Sequence, residues 1–330
     1  GRGAGRAAPI ARRWLAALWL LPAPAVPADP AHALSSAECD AGFQTVLAAD
    51  RGAPAEARAV WLDRHTIRWP GAGPAHRYVL YHASRGALRT DTGRKVEGAD
   101  GAIELRALPA DAARPDAAVH RFAHVAAGAT LVLNLDDAPL RDLLRQSLVL
   151  VQESGSGRVQ QATALQHPGA LDDLYAAAVD APGLGVHPAT AGTTFRVWAP
   201  IPRAGSGWVY ADDSANATGR EPLRVDPVTG IWSTTLSGDL RGSYYDYLID
   251  VHARGTGLVR NRVTDPYSVG LGADSRRSFI ADLDDPALKP SGWDAAPRPA
   301  PLRTQTDMSV YELHVRDFSI NAPTLPPAHR

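Results

Sequence analysis

From about residue 57 the chain reads as short apolar runs cut by Gly and Pro. Ala59-Val60-Trp61-Leu62 leads into Thr66-Ile67-Arg68-Trp69, and Pro70-Gly71 turns the chain into Tyr78-Val79-Leu80-Tyr81-His82. Ile103-Glu104-Leu105 follows after Gly101. Runs of four to eight β-branched and aromatic residues between such breakers predict strands. One helix interrupts them. Asp137 suits its N-cap and Pro139 its first turn, and Leu140, Leu143 and Leu144 recur on one face. Leu148-Val149-Leu150-Val151 predicts a buried strand, Ser154-Gly155-Ser156-Gly157 a hairpin turn, and Val159–Leu165 the return strand. These elements make a first β-rich region over 57–165.

Leu171, Leu174, Tyr175, Ala178 and Val179 return at helical spacing. With Asp172 and Asp173 placed in its first turn and Pro182-Gly183 ending it, this segment predicts a helical linker over 166–185. The next pattern is again of period two. Phe195 and Val197 share a face of Thr194–Trp198, and Pro200 stops that strand. Trp208-Val209-Tyr210 is another strand, although the preceding Ile201–Gly207 is rich in Pro and Gly. Asp226-Pro227-Val228-Thr229-Gly230 is a turn into Ile231–Leu236. Gly242–Val251 is a long strand with Tyr245, Tyr247, Ile249 and Val251 on one side. Several short strands at this spacing predict a β-sandwich over 186–290. The expected fold is mainly β, with two immunoglobulin-like β-sandwich domains joined by a short helix. A linker and a lone strand, Val310–Val315, occupy 291–330.

The N-terminal pattern differs. Arg2, Arg6, Arg12 and Arg13 precede the apolar Trp14–Leu21; Pro22, Pro24 and Pro27 follow, then the small-x-small Ala31-His32-Ala33. This predicts an export signal over 1–33 and an extracellular or periplasmic protein. The apolar run is too short to span a bilayer as a helix, and no membrane span is expected elsewhere. Residues 34–56, rich in Ala, Ser, Asp and Gly, read as a linker.

Composition adds limits. The 330 residues are 45% hydrophobic and 21% charged with a formal net charge of -1, and no basic run is interleaved with aromatics. That balance argues against a nucleic-acid partner and fits a neutral ligand such as a sugar. Cys39 is the sole cysteine, so no internal disulfide forms. The eleven histidines show no metal-ligand spacing and no Gly-rich phosphate loop follows a strand, so no cofactor is expected in this chain.

Four segments carry a resemblance. Ala59–Pro70 resembles the N-terminal module of pullulanase-type α-1,6-glucosidases of the α-amylase superfamily. Thr194–Pro200 resembles the start of that family's isoamylase-type carbohydrate-binding module. Gly242–Tyr247 with Val263-Thr264-Asp265-Pro266-Tyr267 resembles its end. Tyr311-Glu312-Leu313-His314-Val315-Arg316-Asp317-Phe318-Ser319 resembles the first strand of the catalytic barrel. The resemblance implies the accessory half of an exported enzyme that debranches pullulan, starch or glycogen-like glucans, followed by a truncated start of a (β/α)8 barrel. Such a barrel needs about 250 residues. Its catalytic carboxylates lie after later strands, so none is carried over and the chain is expected to be inactive. Glu312, alternating with His314 and Arg316, reads as part of a polar barrel layer or an ion pair, and neither it nor Asp317 is read as catalytic. The implied partners are an α-glucan and the missing barrel; calcium in that barrel stays open.

Flat aromatic rings stack on the apolar faces of sugars, but Trp is also a large core residue. Trp61, Trp69, Tyr81 and Trp198 are the candidate substrate-binding residues, with core or interdomain packing as the competing role for each. Strand phase puts Trp232 in the core, leaves Trp208 ambiguous and places Trp293 in a linker. Two other functions remain open at this point: a stand-alone glucan-binding protein, and a ligand-free structural pair of sandwiches.

Overall fold

The computed structural model describes residues 42–73, 75, 77–109, 120–213 and 216–329. The expected export signal over 1–33, Cys39 and the start of the 34–56 linker lie outside the described residues. The chain forms two compact units, Gly1–Asp282 and Leu283–Arg330. The first is mainly β and contains two sandwich modules.

The first module is one eight-stranded sheet folded over on itself. Its order is Val159–Thr163, Ser147–Glu153, Arg77–Ala83, Gly101–Ala107, Gly128–Val132, Thr66–Pro70, Ala59–Trp61 and Leu165–Gln166. The two strands at opposite ends of this row are separated in sequence by Ala164 alone. The sheet's two edges therefore come together. The bend falls within Gly101–Ala107, whose residues 101–105 pair with Arg77–Ala83 and whose residues 106–107 pair with Gly128–Val132. Trp61, Ile67, Trp69, Leu80, Leu131 and Leu150 fill the space between the two layers. The helix Asp137–Leu144 adds Leu140, Leu143 and Leu144 to this core, as its sequence pattern predicts. Its N-cap is Asp136, one residue earlier than expected.

The connecting helix corrects the expectation more substantially. It runs over Pro168–Leu174, with Pro168 in its first turn. Asp172 and Asp173 thus stand near its C-terminal end, and their partners are Arg121 and Arg64 rather than the helix dipole. Val179 is exposed. Gly169 lets the helix sit closely against the end of the Ala59–Trp61 strand. A Cβ at Gly169 would lie 2.2 Å from the Leu62 carbonyl carbon. Only glycine permits that approach.

The second module has a four-stranded and a six-stranded sheet. The first orders Gly185–Ala189, Gly192–Trp198, Ile231–Ser237 and Arg224–Val225. The second orders Gln44–Ala49, Gly257–Val263, Tyr244–Ala253, Ala204–Tyr210 and Ala217–Pro222, with Ser278–Phe279 also paired to Tyr244–Ala253. Alternate burial along Gly192–Trp198 puts Phe195 and Val197 inside. They meet Val209, Tyr245 and Tyr247 across the sandwich, with Trp232 beside them on the neighbouring strand of their own sheet. The Gly-rich approach to Trp208 is a regular strand from Ala204, held between two neighbours.

The strand Gln44–Ala49 overturns part of the expected linker. It pairs antiparallel with Gly257–Val263, Gln44 opposite Asn261 and Ala49 opposite Gly257. Gly257 makes the pairing possible: its φ is +112°, and a Cβ there would lie 2.1 Å from the Ala48 carbonyl oxygen. From Gln44 onward the chain thus contributes a strand to the second module's sheet, leaves to build the first module, and returns.

In the Leu283–Arg330 unit, Val310–Val315 is not a strand. No sheet includes it, and Val315–Ser319 forms a short helix capped by the His314 side chain. A strand needs a neighbour for its backbone groups. None is present in this unit among the described residues, so the local helical turn wins.

Candidate functional site

Trp61 and Trp69 are both 0% exposed. Each indole is enclosed in the first module's core, so neither offers a face to a glucan, and the sequence expectation is corrected for both. The reason lies in the strands that carry them. Ala59, Val60, Trp61 and Leu62 are all buried, so this strand is covered on both sides and alternation cannot mark an outer face. Trp198 is half-buried. Its ring packs against the first module's core although its strand belongs to the second, and its Nε1 donates to the Thr229 carbonyl at 2.9 Å. It is an intermodule contact with its polar atom already used.

Tyr81 is also half-buried, and its hydroxyl donates to Glu153 Oε1 at 2.5 Å. Glu153 is fully buried and accepts from Arg77 Nε at 2.6 Å on its other oxygen. Burial, followed by the Glu153 hydrogen bond and charge, pushes the Tyr81 phenol up to about 12. This arrangement fixes a strand end. It commits the hydroxyl proton of Tyr81 to Glu153.

The second module holds two further acid centres. Asp265 accepts from the hydroxyls of Tyr245 at 2.7 Å and Tyr247 at 3.3 Å, and from the Tyr267 backbone at 2.8 Å. Its own N–H donates to Ser278 Oγ at 2.9 Å. Burial first, then the Asp265 charge, raises both phenols above their ordinary range. The segment Val263–Tyr267 is therefore a fastener: one carboxylate ties the long strand's inner tyrosines to the chain that leaves the sheet.

On the opposite face of the six-stranded sheet stand Trp208, Tyr210 and Leu248, all buried. Arginines occupy the ring faces. The Arg220 guanidinium lies 5.6 Å from the Trp208 ring centre and that of Arg277 lies 3.6 Å from Tyr210's. Cation–π contact of this kind covers the surface a sugar would otherwise stack on. Asp246, opposite Trp208 in register, is fully buried. Neither of its oxygens makes a hydrogen bond among the described residues, and Arg262 Nε is 3.8 Å away. Burial raises its carboxyl to about 7, with Arg262 and Arg277 opposing.

Against known protein families, the Pullulanase N2 domain matches residues 56–173, and Carbohydrate-binding module 48 (Isoamylase N-terminal domain) matches residues 183–268. The chain carries the N-terminal modules of pullulanases. Pullulanase 1, chloroplastic, of Arabidopsis thaliana is 34% identical over 285 residues, covering 83% of this chain and 28% of that protein. The pullulanase of Klebsiella pneumoniae is 34% identical over 274 residues, 82% of this chain and 24% of that protein. A crystal structure of Klebsiella pneumoniae pullulanase complexed with maltotriose superposes with a TM-score of 0.68 at 32% identity, covering 82% of this chain and 25% of that one. The chain thus spans about a quarter of the length of the curated relatives it matches.

The tyrosine–Asp265 fastener closes the carbohydrate-binding module just where the family match ends, at residue 268. Sequence reasoning marked Val263–Tyr267 by resemblance but missed the role of Asp265; its signal is an acid-Pro pair following a strand with two inward tyrosines. Glu312 and Asp317 are both exposed, and Asp317 pairs with Arg316 at 3.1 Å and His314 at 3.4 Å. Among the described residues no group of three or more His, Cys, Asp or Glu is placed to hold a metal ion, and no helix is long and apolar enough to cross a membrane.

Proposed function

We propose that this chain is the N-terminal accessory part of an exported, pullulanase-type debranching enzyme that hydrolyses α-1,6-glucosidic bonds, and that it binds α-glucan and seats the catalytic barrel. One observation carries the reading: the pullulanase N2 domain and carbohydrate-binding module 48 occur in order, within a similarity to pullulanases that covers more than four-fifths of the chain. The barrel-seating role draws support from the Leu283–Arg330 unit. Trp293, Val310, Tyr311, Leu313 and Phe318 are all exposed there. So much apolar surface on so short a unit is the mark of a segment completed by another domain.

Affinity electrophoresis in gels containing amylopectin tests glucan binding: retardation of the 330-residue chain is expected, and unchanged mobility overturns that part. The same polypeptide is expected to leave pullulan intact, since retaining hydrolysis needs two carboxyls about 5 Å apart around the scissile bond, and Glu312 and Asp317 are exposed, Asp317 being already in ion pairs. Release of reducing sugar by this chain would refute the accessory assignment.

A further inference from the structure

A cavity of about 540 Å³ opens where five parts of the chain converge. These are the segment following the Gln44–Ala49 strand, the start of the Ser147–Glu153 strand, the approach to and start of the Pro168–Leu174 helix, Ile201, and the hairpin joining Tyr244–Ala253 to Gly257–Val263. It therefore lies on the seam between the two modules. Its volume is within the range of about 300–1,000 Å³ typical of small-molecule sites.

Its polar lining is unusual. His167 Nε2 and both ring nitrogens of His252 make no hydrogen bond among the described residues. The Ser84 carbonyl lies near His252 but outside hydrogen-bond geometry. Burial holds both imidazoles uncharged down to about pH 4, with Arg254 adding to the effect on His167 and Arg203 on His252. A neutral imidazole offers one donor and one acceptor, and buried polar groups of this kind normally have partners.

Charge chemistry narrows the ligand. The formal charges of the lining are Arg254, exposed at the rim, and Asp50, whose Oδ1 already accepts from the Gly52 and Ala53 backbones. That set gives no strong preference to an anion or a cation. Among the described residues no group of three or more His, Cys, Asp or Glu is placed to hold a metal ion, Asp50 with the two histidines included. What remains is a ligand rich in groups that both donate and accept, with apolar patches for Pro54, Leu171 and Ile201. Sugar hydroxyls and ring C–H faces have that character.

We propose that this seam cleft is a binding subsite for a short, neutral glucose oligomer, gripped by His167 and His252. It rests on the α-glucan reading above and names where one such chain is held.

The test titrates maltotriose into the 330-residue chain by calorimetry, and maps histidine carbethoxylation by diethyl pyrocarbonate with and without the sugar. Saturable binding is expected, with His167 and His252 protected. Ala253→Trp, which fills the cleft from the hairpin side, and His252→Asn should each weaken binding roughly tenfold or more. Circular dichroism checks that each variant folds; should Ala253→Trp fail to, His252→Asn and the protection map decide. Undiminished binding in folded variants, or no protection, overturns the cleft while leaving glucan binding intact. So does a chain that ignores maltotriose yet is retarded by amylopectin. A chain that responds to neither refutes both statements together.

Discussion

Two regions of this molecule bury ionisable groups in opposite senses. At the seam, burial strips His167 and His252 of their protons. On the arginine-covered face of the six-stranded sheet, burial gives Asp246 a proton it would ordinarily lose. Both regions end up less charged than their residue types suggest. The physical cause is the same, since a charge without a close partner is costly away from water. The lesson is in the direction: the seam is weakened by acid and the sheet face by base. Glu153 shows the other solution, a buried acid given close partners, Arg77 on one oxygen and the Tyr81 hydroxyl on the other.

A core position with no proton to exchange supplies the baseline. Trp61→Ala is expected to lower unfolding free energy by about 3–5 kcal/mol, equally at pH 5 and pH 8, as read from urea midpoints. If the loss were small and glucan binding fell instead, Trp61 would be a sugar platform after all.

Asp246→Asn comes next. Below the ordinary carboxyl value both folded and unfolded chains hold the proton. Between 3.8 and about 7 only the folded chain does. Stability therefore falls as pH rises through that window, by about 4 kcal/mol at most. The Asn variant should lose this slope and exceed the parent at pH 8 while matching it near pH 4. A parent profile flat from pH 4 to 8 would break the contrast.

The histidines have the reverse sign. Above 6.5 both states are neutral; as pH falls toward 4 the unfolded chain takes up protons that the folded one refuses. Each should cost about 3 kcal/mol or less by pH 4. Substituting both by Asn should flatten the acid limb of a thermal-melt series, and an unchanged limb would show that other groups carry it. The smallest effect expected is for Gly257→Ala, about 2 kcal/mol from its positive φ and the Ala48 contact. Hydrogen exchange should report it as faster exchange confined to Gln44–Ala49.

Much of this fold was legible in the residues. Strict alternation puts Phe195 with Val197 on one face and Tyr245 with Tyr247 on another, and the structure turns both faces into the same core. The Ser154–Gly157 turn and the leucine face of Asp137–Leu144 were equally plain. Three features were not. Gln44–Ala49 has no alternation, and its partner lies more than two hundred residues away; only the empty edge of Gly257–Val263 makes it a strand. Trp61 sits in a strand buried on both sides, where phase carries no information. The seam histidines are single residues on separate elements, brought together by tertiary folding alone.

The route of the backbone has one more outcome. Because Gln44–Ala49 belongs to the sheet of the carbohydrate-binding module, the N2 domain is a guest spliced into its neighbour, and the two family boundaries are not cut points. A recombinant piece made from residues 183–268 would carry an open flank along Gly257–Val263, its backbone donors and acceptors unsheathed. Such a piece invites exchange of leading segments between copies, or precipitation, where in the uncut chain Gln44–Ala49 covers that flank.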